Sequence, residues 1–164
     1  MSQLPIAPRL EAILSPSLAR EEMAALLAIE KVCYPPQTRF TRATIRGFLE
    51  MDGSLLVRAY VGESLAGFQI GNLNAGHLIT LDVRPEFRRR GIGSAILRKT
   101  LSLMRRSGAP LIQCEIAVNN EASIRLHERF GFQALGRIPA YYEDGTDALL
   151  MALLLPGTPR FGPR

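Results

Sequence analysis

The stretch that decides the fold is Leu81–Ser94, which reads LDVRPEFRRRGIGS. It joins an apolar, strand-like segment ending at Val83 to a segment of helical hydrophobic period beginning at Ile92. Three arginines and two glycines lie at this junction. A helix N-terminus presents unpaired N–H groups and the positive end of a dipole, and glycine lets a ligand approach the backbone closely. The junction therefore predicts a phosphate-binding loop.

Two common phosphate-binding patterns do not fit this loop. A dinucleotide-binding fingerprint needs a third glycine where this chain has Ile96, and a Walker loop needs a Lys-Ser/Thr pair after its last glycine. The pattern that remains is Arg-x-x-Gly-x-Gly, starting at Arg88. Taken alone, these six residues leave open a solvated basic turn that merely caps the helix.

Length and composition favour one globular domain. The chain has 164 residues, of which 47% are hydrophobic and 21% charged, as in ordinary water-soluble folds. The net charge of +5 suits an anionic ligand with phosphates. No nucleic-acid-binding motif accompanies this charge, so we expect no nucleic-acid partner.

Neither a membrane segment nor a disulfide framework is expected. The longest apolar runs, Met23–Ile29 and Leu149–Leu155, are too short to span a bilayer, and no secretory signal is visible. Cys33 and Cys114 are the only cysteines, which favours two reduced thiols. The sequence thus predicts a cytoplasmic protein without a membrane partner.

Hydrophobic periodicity and turn residues predict alternating strands and helices. We place an irregular lead-in at residues 1–8, one domain at 9–155 and a flexible tail at 156–164. The predicted strands are Arg9–Leu14, Leu55–Val61, Leu65–Leu73, His77–Val83, Leu111–Val118, Gln133–Ile138 and Asp147–Leu155. The predicted helices run from Ser15-Pro16 to about Cys33, from Arg42 to Glu50 after a Thr41 cap, from Ile92 to Ser107 and from Asn119 to Arg129.

Four ordered motifs carry a family resemblance. They are Leu81–Gly93, Cys114–Ala122 (CEIAVNNEA), Leu126–Phe132 (LHERFGF) and Tyr141–Ala148 (YYEDGTDA). Together they resemble the GNAT N-acetyltransferase superfamily, most closely its ribosomal-protein-alanine N-acetyltransferase subgroup. The resemblance implies an α+β (mixed α/β) acyl-CoA N-acyltransferase fold. Its central, mostly antiparallel sheet would have about seven strands and about four flanking helices.

The resemblance also implies acetyl-CoA as the acetyl donor. Backbone groups of Leu81 and Val83 would pair with the pantetheine arm like an added strand, and amides from Arg88 to Ser94 would surround the pyrophosphate. Asn120 would bond the pantetheine near its reactive end. The coenzyme contacts implied in this way are Leu81, Asp82, Val83, Arg88, Arg89, Arg90, Gly91, Ile92, Gly93, Ser94, Asn120, Ser123 and His127.

Two side chains match catalytic positions of the subgroup. Glu115 corresponds to a general base; the alternative is a carboxylate that only binds substrate or a neighbouring side chain. His127 stands where the family usually has a tyrosine that protonates the leaving sulfur. A histidine could donate this proton, contact coenzyme A or simply lie on a helix surface. The Val83 amide would stabilise the oxyanion.

The resemblance implies that the acceptor is a protein or peptide N-terminal amine. The residues implied to line the acceptor site are Tyr34, Glu115, Tyr141 and Tyr142. The chemistry agrees, because an α-amine has a reference pKa of roughly 7.7–8.0 against about 10.4 for lysine, and only a neutral amine attacks. Two alternatives stay open: a small amine (polyamine, antibiotic or amino acid), or a coenzyme A-binding module without activity. We expect no metal, and either a monomer or a homodimer.

Overall fold

The computed structural model describes residues 7–156, and within them it shows eight strands and four α-helices. The α+β prediction is confirmed. The strands are β1 (Arg9–Leu14), β2 (Ser54–Val61), β3 (Ser64–Asn72), β4 (His77–Leu78), β5 (Asp82–Val83), β6 (Leu111–Ala117), β7 (Gln133–Ile138) and β8 (Ala148–Leu154). The helices are α1 (Arg20–Cys33), α2 (Arg42–Glu50), α3 (Ile92–Arg106) and α4 (Glu121–Arg129), with a short 3-10 turn at Pro85–Phe87.

The start of α1 differs from the prediction. Ser15 adopts a left-handed conformation with φ of 47° and ends β1 rather than capping a helix. The helix begins at Arg20, where the Ala19 N–H donates to the Glu22 carboxylate over 2.9 Å. By contrast, α2 follows its predicted cap, because the Thr44 N–H donates to the Thr41 hydroxyl at 3.2 Å.

The sheet runs in the order β1-β2-β3-β4-β6-β8-β7, with β5 also paired to β3. Every pairing is antiparallel except that of β4 with β6, which are parallel at His77 and Gln113. Beyond this point β6 pairs with β8 and β5 pairs with β3. A gap therefore opens in the sheet between β5 and β6.

The predicted strand His77–Val83 is wrong as a single strand. The N–H groups of Ile79 and Thr80 both donate to the Ile70 carbonyl, over 2.8 and 3.2 Å. The Thr80 hydroxyl in turn accepts from the Ile70 N–H at 3.0 Å. This irregularity separates β4 from β5 and turns the chain away from β6.

Apolar side chains pack on both faces of the sheet. Phe68 and Ile70 of β3 pack with α1 and α2, whereas Leu55 and Val57 of β2 pack with the α3 residues Ile92 and Ile96. A third cluster joins α3 to β6 and β8. The helices thus cover the sheet and leave the gap between β5 and β6 as its main interruption.

The thiols, the helices and the chain ends bear on the other predictions. Cys33 and Cys114 are free thiols, as predicted. No helix within residues 7–156 is both long and apolar enough to cross a membrane. Most of the predicted lead-in and almost all of the predicted tail lie outside the described residues.

Candidate active site

A cavity of about 320 Å³ lies at the gap in the sheet. Its walls come from the end of α1, from the β4–β5 segment, from β6, from α4 and from the loop before β8. Glu30, Tyr34, Asp82, Glu115 and His127 all line it. The gap thus brings residues of distant segments to one cavity.

One edge of this gap carries backbone groups that the sheet does not use. The Arg84 N–H donates to the Ala66 carbonyl at 2.9 Å, which fixes the hydrogen-bonding phase of the β3–β5 ladder. Because hydrogen-bonded and non-hydrogen-bonded pairs alternate in an antiparallel ladder, the N–H groups of Leu81 and Val83 face away from β3. They face the gap, where an extended ligand could pair with them.

The loop before α3 is a helix N-terminus built on left-handed backbone. Gly91 has φ of 85°, and its carbonyl accepts the first helical bond, from Ala95 at 2.9 Å. The N–H groups of Ile92, Gly93 and Ser94 come before this bond and have no partner within the helix. Arg89 also has a positive φ, of 58°. This arrangement suits an anion such as a diphosphate.

Arg88 and Gly93 of this loop make structural contacts within the protein. The Arg88 guanidinium donates through Nε to the Val83 carbonyl at 2.9 Å and through Nη2 to the Cys33 sulfur at 3.4 Å. Gly93 allows α4 to approach, because a Cβ there would lie 3.3 Å from a methyl of Leu126. Neither Val83 nor any residue from Arg88 to Ser94 lines the cavity. The loop therefore lies beside the cavity, not inside it.

Glu115 is held by a histidine that sequence reasoning missed. Its Oε2 lies 2.7 Å from Nε2 of His77, and the two side chains are 17% and 30% exposed. The contact follows from the parallel register of β4 and β6, which places His77 opposite Gln113. In the sequence alone, His77 is an ordinary strand residue. No local motif signals this pairing, since it depends on strands 38 residues apart.

His127 is buried and its ring has a defined hydrogen position. Nδ1 lies 2.8 Å from the Ser123 carbonyl, so in the neutral ring the hydrogen is on Nδ1 and Nε2 is an acceptor. Burial lowers the pKa of His127, which favours this neutral form. The ring also packs edge-on against Phe132 at 5.2 Å. Such a ring lacks the proton that the predicted general acid needs, and this environment argues against that role.

The three tyrosines predicted to line the acceptor site differ in their position relative to the cavity. Tyr34 and Tyr142 line the cavity, and the Tyr142 hydroxyl donates to the Glu115 carbonyl at 3.5 Å. Burial raises the pKa of Tyr142 to about 12. Tyr141 does not line the cavity; it is 47% exposed and packs edge-on against Tyr142 at 5.0 Å. The pair thus forms a rim with one ring inside and one outside.

Sequence comparison with known proteins identifies the family of this chain. The profile of the acetyltransferase (GNAT) family matches residues 20–132, well over half of the chain. The chain belongs to the GNAT acetyltransferase family. It is 32% identical over 135 residues to an uncharacterized N-acetyltransferase of Methanocaldococcus jannaschii, covering 80% of this chain and 85% of that one.

Two further proteins are similar to this acetyltransferase. An N-alpha-acetyltransferase of Sulfurisphaera tokodaii is 36% identical over 78 residues, which is 47% of each chain, so the chain spans about half the length of that relative. The ribosomal-protein-S18-alanine N-acetyltransferase of Escherichia coli has the same fold, with a TM-score of 0.73 at 22% identity. The superposition covers 94% of this chain and all of the other.

The structure of this acetyltransferase brings about half of the predicted site residues to the cavity. Leu81, Asn120, Ser123, Glu115 and His127 line the cavity. Asn120 caps α4, because its side-chain oxygen accepts from the Ser123 N–H at 3.2 Å. The residues described form no metal-binding group.

Asp82 lines the cavity, but its backbone does not face the gap as the predicted coenzyme contact would require. Its backbone lies in the hydrogen-bonded pair with Phe68, so its N–H and carbonyl face β3 and not the gap. Its side chain is 2% exposed and lies on the α1 face. The sequence offered no sign of this, since Leu81, Asp82 and Val83 occur in one motif.

Proposed function

We propose that this acetyltransferase moves the acetyl group of acetyl-CoA to the N-terminal α-amine of a protein or peptide, and that Glu115 accepts the proton of that amine. One observation carries the proposal: the Glu115 carboxylate, held by His77, lies in the wall of a cavity that is also lined by Leu81, whose N–H group faces the gap. A candidate base and a backbone N–H group that can pair with acetyl-CoA thus border the same cavity.

The residues present fit the coenzyme. The N–H groups of Leu81 and Val83 can pair with the amide-bearing pantetheine arm, as in the addition of a strand to a sheet. The N–H groups that open α3 lie beside the cavity and suit its diphosphate. Asn120 and Ser123 line the side of the cavity that α4 provides. When bound, acetyl-CoA supplies an activated acetyl thioester.

Glu115 is placed to act as the base. A carboxylate that faces a cavity can take a proton from an amine within hydrogen-bond reach, directly or through one water. The His77 ring fixes the orientation of Oε2 and is 30% exposed. The Glu115 side chain is itself 17% exposed, so a proton that it accepts can leave to solvent. This route suits an α-amine, whose reference pKa is roughly 7.7–8.0.

Three features support a peptide as the acceptor. Tyr142 lies at the cavity and Tyr141 lies outside it, so the pair could contact a chain that continues out of the site. The α1–α2 connection supplies Tyr34, Pro35, Thr38 and Phe40 to the opposite wall. The N-alpha-acetyltransferase relative favours the same acceptor class. We further propose that residues 9–155 form the transferase domain.

A turnover assay tests the proposal. The acceptors are a peptide with a free N-terminus and one internal lysine, the same peptide with a formylated N-terminus, and spermidine. We expect the free peptide to gain one acetyl group, located at the α-amine by fragment mass spectrometry, and the formylated peptide to gain none. Acetylation of spermidine alone would favour the small-amine alternative and contradict a peptide acceptor.

A further inference from the structure

Two buried carboxyl groups line the cavity without taking part in the proposed proton transfer. Glu30 and Asp82 are 1% and 2% exposed. The Phe40 N–H donates to Oε2 of Glu30 at 2.9 Å. Within residues 7–156, Oε1 of Glu30 and both carboxyl oxygens of Asp82 have no partner that meets full hydrogen-bond geometry, although the Glu30 carboxyl and the Tyr34 hydroxyl both interact with Asp82. Such atoms are rare in folded proteins, and each calls for a physical reason.

These carboxyl groups lie on the α1 face of the sheet. Asp82 is opposite Phe68 in the β3–β5 register, and Phe68 packs against α1 and α2. Glu30 belongs to the last turn of α1. The phosphate-binding loop opens α3, which covers the other face. Glu30 and Asp82 therefore line the part of the cavity that lies away from the proposed diphosphate site.

A third side chain shows that this cavity is built to receive polar atoms. Gln69 is 1% exposed and lines the cavity, and neither its amide oxygen nor its amide nitrogen has a partner among the described residues. It alternates with Phe68 and Ile70 along β3, so it lies on the α3 face. Unpaired polar groups therefore border the cavity from both faces of the sheet.

The chemistry of the carboxyl pair defines what it can bind. Burial and the nearby charge of Asp82 raise the pKa of Glu30 to about 8, and burial also raises the pKa of Asp82. At neutral pH the pair thus holds a proton, and its remaining oxygens can only accept hydrogen bonds. Burial and the charge of Asp82 raise the pKa of the Tyr34 hydroxyl as well. Beyond the shared proton and the Tyr34 hydroxyl, which interact with Asp82, any further partner of these carboxyl oxygens must donate a hydrogen bond.

We propose that Glu30 and Asp82 form a subsite that selects peptides whose first side chain donates a hydrogen bond, from a hydroxyl or an ammonium group. This inference rests on the proposed function. The α-amine must reach Glu115, and the first side chain is the part of the peptide that shares a cavity of about 320 Å³ with it. An apolar first side chain would leave the carboxyl oxygens buried and unpaired.

Selection between substrates is strong when the site must accept a hydrogen bond from the substrate. A site that hydrogen-bonds a substrate hydroxyl discriminates steeply against the analogue lacking it, because the polar groups of the site are left unpaired. Threonine and valine are matched in shape and differ in the hydroxyl. Lysine and norleucine share an aliphatic chain and differ in the terminal ammonium. The first comparison tests for a hydroxyl as the hydrogen-bond donor, and the second tests for an ammonium group.

The experiment measures kcat/KM for four peptides that differ only in their first residue: threonine, valine, lysine or norleucine. We expect the wild-type enzyme to prefer threonine over valine, or lysine over norleucine, by at least about tenfold. In Asp82→Asn, the new amide can donate to Glu30, so we expect this preference to fall several-fold. The surface change Glu63→Gln, in the turn between β2 and β3, should leave the preference unchanged.

The outcomes are distinguishable. Turnover of all four peptides with equal kcat/KM would overturn the subsite and leave the proposed function standing. No turnover of any peptide by the wild-type enzyme would overturn the proposed function and the subsite with it. If Asp82→Asn does not fold, Glu30→Gln replaces it, because its amide oxygen can still accept from the Phe40 N–H. A preference that persists in the folded variant would also overturn the subsite.

Discussion

The cavity contains two carboxyl sites that differ in almost every physical respect. Glu115 keeps contact with solvent and bonds to His77 at 2.7 Å. Glu30 and Asp82 are almost fully buried, and most of their oxygens have no partner among the described residues. In the proposed mechanism, the first site accepts a proton in every catalytic cycle. The second shares a proton, and its remaining oxygens can only accept hydrogen bonds, which suits the proposed recognition of a ligand.

With the proposed roles, this difference would separate catalysis from substrate selection within one fold. Both sites depend on strand placement: Glu115 on the parallel contact of β4 with β6, and Asp82 on the antiparallel contact of β5 with β3. Both β4 and β5 pair with β3, but the break between them lets only β4 pair with β6 as well. The gap, where we propose that acetyl-CoA binds, also brings the two carboxyl sites to one cavity.

The largest effect should come from removing the donor, since neither carboxyl site acts without it. Gly91→Glu adds a negative charge beside the proposed diphosphate site, at a residue with φ of 85°. We expect coenzyme A affinity to fall by more than about 100-fold, a loss of roughly 2.7 kcal/mol in isothermal titration calorimetry.

Gly91→Ala is the matched control for this prediction. It carries the same left-handed backbone strain, worth roughly 1–2 kcal/mol, without the charge. Apart from the adjoining residues, no atom lies within 4 Å of the place that its Cβ would take. We expect it to bind coenzyme A much more tightly than Gly91→Glu. Equal affinity of the two variants would mean that no anion binds at this loop.

The next effect should come from the solvated carboxyl site. Glu115→Gln keeps the shape of the side chain and removes its basicity, so we expect kcat to fall by about 10²–10⁴-fold for a peptide acceptor at pH 7. Glu128→Gln, an exposed change on α4, is the control. A kcat within a factor of a few of the wild type would leave Glu115 as a binding residue only.

A smaller effect is expected at His127. Because its neutral ring donates to the Ser123 carbonyl and has a lowered pKa, we expect His127→Phe to reduce kcat by less than about tenfold and to leave the pH profile in place. His127→Asn keeps a donor for that carbonyl and serves as the structural control. Loss of about 100-fold or more in kcat, with a limb missing from the pH profile, would restore the general-acid role.

The smallest effect concerns stability and the buried site. The pKa of Glu30 is raised in the folded protein from 4.5 to about 8, so the native state keeps a proton that the unfolded chain releases. Stability should therefore fall as pH rises from about 5 toward 8, by about 1–3 kcal/mol in urea unfolding. Asp82→Asn removes one charge of the pair and should flatten this slope. A wild-type slope equal to that of Asp82→Asn would contradict the shared proton.

Local signals in the sequence were sufficient for much of the fold. Thr41 predicted the start of α2, and the alternation of apolar residues predicted β6, because both features depend on neighbours in the chain. The start of α1 was predicted too early, since Ser15-Pro16 resembles a cap and the bond between Ala19 and Glu22 leaves a weaker signal.

The site was harder to predict, because its key contacts join distant segments. Glu115 could be assigned from its motif, but its partner His77 is set by strand register. The same holds for Asp82, which a motif grouped with Leu81 and Val83 while the β3–β5 ladder turns it to the other face. Glu30 carried no motif at all, and its role follows only from burial against β5.

A crystal structure with coenzyme A bound tests the central claim most directly. The account predicts that the pantetheine lies in the gap between β5 and β6, bonded to the N–H groups of Leu81 and Val83, with the diphosphate on the amides that open α3. The thiol would then point into the cavity that Glu115 lines. Coenzyme A bound elsewhere on the protein, with the gap closed or filled by side chains, would contradict the account.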